Sequence, residues 1–401
     1  MQMVQMSAID KAETAWLLVS TVLALLMTLP GVALFYAGLV RRKNVVNTLA
    51  SVFAVACVVT LTWFALGYSL AFSQGQDSGR GNLLGIQPEL QGADYRSALH
   101  LHRKLSAYLD QARQQGLLNP KTVVVLPEHI GTWLVAVGEK REVFAARDLA
   151  EARIWLGLSH PLELLRALFA NQGTARFSDA LLRMKARQMA DDYQSLFGGL
   201  AETYGVTIVA GSIVLPEPSV VDGVLQVGDG PLYNVSLVFG SDGLPLGQPQ
   251  RKVLPHREED SFTAAASDQA LQVVTTPAGR LGVLIGTDSW RAESYAPLIA
   301  QQVELLAVPA YLPGNGHWNE VWSGTPSDLR SRANPLSEGQ AWLHHSLPMQ
   351  LAPSGARAGM AVFLRGQLWN LGSDGRSLAV TPAGTQLVEE APGARLFNLW
   401  L

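Results

Sequence analysis

Apolar residues follow two regimes along the chain. Near the N-terminus they run almost unbroken. Residues 16–40 (WLLVSTVLALLMTLPGVALFYAGLV) and 45–72 form two stretches separated by Arg41, Arg42, Lys43 and Asn44. A helix rises about 1.5 Å per residue and a bilayer core is roughly 30 Å thick, so each stretch is long enough to span it. The pattern predicts a transmembrane hairpin, with Pro30 and Gly31 interrupting the first span as neighbouring helices can tolerate. A basic turn of this kind stays cytoplasmic. Everything after Ser73 is therefore expected on the far side, in the periplasm if the membrane is a bacterial inner membrane. A cleaved signal peptide fits less well, because the basic residues follow the apolar run instead of preceding it.

From residue 82 the period changes. Residues 74–81 (QGQDSGRG) are polar and Gly-rich, and 76–81 read as a linker between a hairpin over 1–75 and a second unit over 82–401. Within 94–114 the apolar positions Ala98, Leu101, Leu105, Leu109 and Ala112 fall on one helix face. Residues 142–170 and 178–204 also read as helices, the latter with Ala186, Met189, Tyr193, Leu196 and Leu200 in register. Residues 122–126 (TVVVL) form a β-branched run suited to a strand buried on both faces. Further strands are predicted at 82–87, 205–215, 233–239, 281–285, 304–309, 359–364 and 378–380. Strands alternating with helices and followed by strand-rich segments indicate a layered α/β sandwich.

Composition narrows the function classes. A net charge of -3 gives no basic footprint, which sets nucleic acid aside. The single cysteine, Cys57, lies in the second apolar run and excludes an intrachain disulfide. His344 and His345 have no cysteine or carboxylate at metal-ligand spacing, and no Gly-rich phosphate fingerprint follows a strand, so neither metal nor cofactor is expected.

Three charged residues sit at predicted strand ends, where α/β proteins place their chemistry. Glu128 follows VVVLP, Lys252 follows LYNVSLVFGSDGLPLGQPQR, and Asp288 follows GVLIGT. Each also fits a plainer role, since a carboxylate after a strand often caps a helix and a lysine is usually solvated. Tyr311 opens YLPGNGHWNEVW, a loop rich in Gly, Pro and aromatics that suits either a pocket lining or ordinary surface packing.

Two resemblances bear on these residues. TAWLLVSTVLALLMTLPGVALFYAGLVRRKNVVNTL and WFALGYSLAF resemble the first two transmembrane helices of the ammonium transporter family, over residues 12–75 only. Later helices carry that family's pore and are missing here. The likeness implies a bilayer anchor, with packing against ammonium transporter helices as a further partner.

Residues 82–390 resemble the carbon–nitrogen hydrolase (nitrilase) superfamily, which implies an α-β-β-α sandwich. LPEHIGTW matches the segment holding a glutamate base, LYNVSLVF…DG…QRKVLP the segment holding a lysine, and GRLGVLIGTDSW the strand that normally ends in Ile-Cys-x-Asp. Residues 135–190 read as an insertion relative to shorter members. The resemblance makes Glu128 the base and Lys252 the electrostatic partner of a tetrahedral intermediate. A second acid after the lysine is also implied, with Glu258, Glu259 and Asp260 all open, and Asp288, Trp290, Glu259 and Tyr311 are the candidate binding residues.

The departure lies at Gly286, which occupies the cysteine position and carries no nucleophile. Thr287 and Ser289 offer only unactivated hydroxyls. The implied ligand is a small amide, nitrile or carboxylate, the family's habit of pairing implies a homodimer, and hydrolysis is expected to be impaired. A catalytically silent ligand-binding or regulatory domain associated with ammonium transport is the alternative. The abrupt join at 74–81 and the missing cysteine also suit a fused or damaged reading frame.

Overall fold

A computed structural model describes residues 35, 38–62, 79–170, 176–255, 263–322, 336–390 and 393–401. The chain divides into two compact units, Met1–Gln76 and Asp77–Leu401.

In the first unit the described part is a short 3-10 turn, Arg42–Asn44, leading into the helix Val45–Thr62. That helix has 18 residues, about 27 Å of rise, just under the roughly 30 Å of a hydrocarbon core. No helix among the described residues is long and apolar enough to cross a membrane. Most of the predicted first span, and the C-terminal part of the second, lie outside the described residues.

The second unit is a four-layer α-β-β-α sandwich. Its first sheet runs in the order Arg395–Trp400, Asn82–Gln87, Thr122–Val125, Thr207–Val209, Val238–Phe239. The three middle strands are parallel and both outer ones antiparallel. The second sheet runs Val273–Thr276, Gly279–Val283, Leu305–Ala310, Ala358–Phe363, Leu378–Thr381, Gly384–Leu387, again with a parallel centre. Side chains alternate across a strand, and the buried residues sort by that period of two. Val123, Val125, Leu305, Ala307, Met360 and Val362 form a core between the sheets. Val124 turns instead to the outer helices beside Leu101, Leu105, Met189, Tyr193 and Phe197. Leu306, Val308, Ala361 and Phe363 turn to Tyr295, Leu298, Trp342 and Leu351 on the other side.

Local chemistry explains where elements start and stop. The helix Ala98–Gln114 begins at Ser97, whose hydroxyl accepts the His100 N–H at 3.1 Å. The predicted helix over 142–170 is instead three: Arg141–Ala145, Leu149–Ser159 and Pro161–Ala170. Asp148 caps the second through the Glu151 N–H at 2.8 Å, and Pro161, which has no N–H to give, starts the third. The predicted strand over 205–215 breaks into Thr207–Val209 and Ile213–Pro216, because Gly211 takes a positive φ of 66° between them. The edge strand Arg395–Trp400 and the helix Ala292–Ala300 carry no period that the sequence pattern identified.

Candidate active site

Two central parallel strands, one in each sheet, end side by side, and their C-terminal turns carry the site. Beyond Thr122–Val125, Pro127 leads to Glu128, and His129 reverses the chain with φ 62°. The turn is fastened by the Ser212 hydroxyl, which accepts the His129 N–H at 2.8 Å. A Cβ on Gly211 would collide with the Pro127 carbonyl, so glycine is required for this close approach.

Lys252 follows the strand Gln250–Arg251, which pairs antiparallel with Leu232–Ser236. Its backbone N–H donates to the Asn234 carbonyl at 2.8 Å, fixing where the side chain departs. The Lys252 ammonium donates to Glu128 Oε1 at 2.6 Å, and the Asn234 amide donates to the same oxygen at 2.9 Å. Glu128 and Lys252 are each only 2% exposed. A pair this desolvated is held by geometry and extra hydrogen bonds rather than by charge alone.

Gly286 opens the 3-10 turn Gly286–Trp290 just past the strand Gly279–Val283, with φ 51°. A Cβ built on it would lie 2.6 Å from Glu128 Oε2. Glu128 therefore lies against the glycine turn, with Lys252 bonded to its other carboxylate oxygen. The Glu128 carboxylate crowds the place a Cβ would take, and Gly286 and Lys252 both border the cavity described below. Both neighbouring hydroxyls are committed. Thr287 donates to the Leu254 carbonyl at 2.6 Å, and Ser289 to the Gly286 carbonyl at 2.8 Å.

The other predicted residues divide. Tyr311, just past the strand Leu305–Ala310, sets its ring edge-on to His129 with centroids 5.6 Å apart, and both line the cavity described below. Asp288 does not line it. Its buried carboxylate accepts the Val253 N–H at 3.0 Å and the Leu254 N–H at 2.6 Å, so it ties the segment after Lys252 to the glycine turn. Burial pushes its pKa up to about 7, against the Lys252 charge and these two N–H donors. Trp290 stacks on Trp322 at 5.6 Å and meets Trp342 edge-on at 5.1 Å, also away from the cavity lining. Glu258, Glu259 and Asp260 lie outside the described residues. Sequence reasoning passed over Asn234, although a polar residue inside the apolar strand LYNVS was a signal, and over His129, which adjoins Glu128 in the same motif.

A cavity of about 300 Å³ opens onto this cluster. Glu128, Lys252, Gly286 and Thr287 contribute to its wall, and Val143, Ala152, Leu156 and Leu181 from the inserted helices supply apolar surface. The set offers a carboxylate able to exchange a proton and an ammonium able to hold a carbonyl oxygen, without a nucleophilic side chain at the turn between them.

Comparison with known proteins gives two family matches. The Carbon-nitrogen hydrolase family matches residues 91–345, and the Ammonium Transporter Family matches 15–105. The second match extends past the linker into residues that fold with the α/β unit, whose helix Ala98–Gln114 packs under the first sheet. A putative ammonium transporter of Methanothermobacter thermautotrophicus is 50% identical over 64 residues, covering 16% of each chain. An ammonium transporter of Aquifex aeolicus is 50% identical over 64 residues, 16% of this chain and 15% of its own. The chain thus spans about a sixth of the transporters it matches.

Among solved structures, a Cys-to-Ala mutant of an amidase of the nitrilase superfamily from Nesterenkonia AN1 is similar with a TM-score of 0.50 and 16% identity. It covers 81% of this chain and 92% of its own. The Cys-to-Ser mutant gives 0.51 and 16%, covering 82% and 93%. At this identity the likeness establishes the fold.

Proposed function

Because this chain belongs to the carbon-nitrogen hydrolase family, we propose that its α/β unit binds a small amide, nitrile or carboxylate in the cavity at Glu128 and Lys252 but does not complete covalent hydrolysis. The observation that carries this reading is Gly286. It has no side chain to attack a carbonyl carbon, and the Glu128 carboxylate lies where a Cβ would project. Lys252 holds the ligand's carbonyl oxygen, and Glu128 accepts an N–H from its amide. Removing the nucleophile from a catalytic unit of this kind costs about a millionfold in turnover.

Ammonia release from a panel of amides and nitriles by the full chain tests this. No release above the buffer background is expected, together with ligand-dependent thermal stabilisation. Sustained release that Glu128→Ala abolishes would overturn it.

We further propose that the N-terminal unit holds the chain at a membrane, with the α/β unit on the periplasmic side. The support is the ammonium transporter similarity, the long apolar runs and the basic cluster between them. Membrane-fraction protein that resists carbonate extraction, and becomes extractable once residues 1–76 are deleted, is the expected result. Equal extraction of both forms contradicts it.

A further inference from the structure

The cavity is not uniformly apolar. Beyond Glu128 and Lys252, Arg153 is the one fixed charge in its wall among the described residues. Arg153 stands on the helix Leu149–Ser159, one residue from Ala152 and three from Leu156, whose side chains belong to the small apolar core that forms part of the same wall. Arg153 is half-buried, and burial lowers its pKa. Among the described residues it forms no ion pair. An ion kept partly out of water without a counter-charge is costly, and the cost falls when a ligand supplies an anion. The neighbouring arginines differ. Arg147 pairs with Glu151 at 3.2 Å, and Arg183 pairs with Asp179.

The two charged places in the cavity are not equivalent for an anion. Lys252 already faces the Glu128 carboxylate at 2.6 Å, so a carboxylate brought there meets a like charge, whereas a neutral amide meets one donor and one acceptor. Arg153 forms no ion pair with any described acid. The connecting wall is apolar and aromatic, with Trp133 and Trp369 rings 5.7 Å apart and Leu156, Leu181 and Leu182 beside them. A volume of about 300 Å³ lies at the small end of ligand sites, enough for a short chain but not for a peptide.

We propose that the cavity selects a bifunctional ligand: a neutral amide at Glu128 and Lys252, a short aliphatic or aryl spacer along the tryptophans, and a carboxylate or similar anion at Arg153. This rests on the functional reading above for the amide end, and on Arg153 and the inserted helices for the rest. It assigns the insertion a recognition role, since Val143, Ala152, Arg153, Leu156 and Leu181 all lie within it.

Calorimetric titration of the full chain with adipic acid monoamide and with hexanamide, its neutral counterpart of equal length, tests the inference. The acid-amide is expected to bind about tenfold or more tightly than hexanamide. Arg153→Gln is expected to bring the two affinities to within about twofold of each other, and Arg153→Lys to keep part of the preference. Lys252→Met, by contrast, should weaken both ligands. Equal affinities in the unaltered chain, or a preference that survives Arg153→Gln, would overturn the Arg153 assignment and leave the amide site standing. Failure of the unaltered chain to bind either probe, or Lys252→Met leaving both affinities unchanged, would remove the amide site and this inference with it.

Discussion

At the scale of single residues, Glu128 is held by two buried donors, Lys252 at 2.6 Å and Asn234 at 2.9 Å, and fills the space beside Gly286. Breaking one half of a buried pair leaves the other charge uncompensated. Lys252→Met should therefore cost about 3–5 kcal/mol in chemical denaturation, and Lys252→Met with Glu128→Gln markedly less than the sum of the single changes. Gly286→Ala adds a Cβ at positive φ against a carboxylate pinned by its partners, and should lower stability by about 1–3 kcal/mol. A neutral result would mean that Glu128 swings aside freely. Asp288 gives a pH signature. Its carboxyl ionises near 3.8 when unfolded and near 7 when folded. Between those values the folded state binds more protons, so its contribution to stability is intact below pH 4 and is lost as pH rises through 7. Relative to Asp288→Asn, the unaltered chain should lose at most about 4 kcal/mol across that window and then level off. A difference that stays flat across it would refute the assignment. The family resemblance, not the strand pattern, grouped Glu128, Lys252 and Gly286 in one site. It could not show which way the Asp288 carboxylate turns, since backbone donors rather than residue type decide that.

Among the elements, the strands legible from sequence were those with β-branched runs, such as TVVV, whose alternation divides cleanly between two cores. The helix Ala98–Gln114 was equally legible, because its buried face Leu101, Leu105, Leu109 and Ala112 repeats at helical spacing. Leu105 is 1% exposed against the first sheet, so Leu105→Ala should cost about 2–5 kcal/mol, read from the denaturation midpoint. Less than about 1 kcal/mol would mean that this layer is not closely packed. The edge strand Arg395–Trp400 escaped detection because its burial is mostly partial and its pattern does not alternate. Its place comes from antiparallel pairing with Asn82–Gln87 at the other end of the unit's sequence, and no local period encodes that pairing. The sequence pattern reads residues 142–170 as a single helix. Their division at Asp148 and Pro161 follows from capping chemistry that overrides the apolar period.

For the whole molecule, two sequence resemblances of unequal reach meet in one chain: a hydrolase match covering most of it, and a transporter match to about a sixth of each relative. In the hydrolase unit a buried carboxylate and ammonium, Glu128 and Lys252, meet beside Gly286, which has no side chain, and the proposed function is binding there without covalent attack. The most direct test of that claim is to mix the full chain with a radiolabelled amide, quench in acid within the first turnover times, and map any label to peptides. The account predicts that no label stays with the denatured α/β unit, although the same amide binds reversibly before the quench. Label recovered in stoichiometric amount on Thr287, or on any other residue lining the cavity, would contradict it.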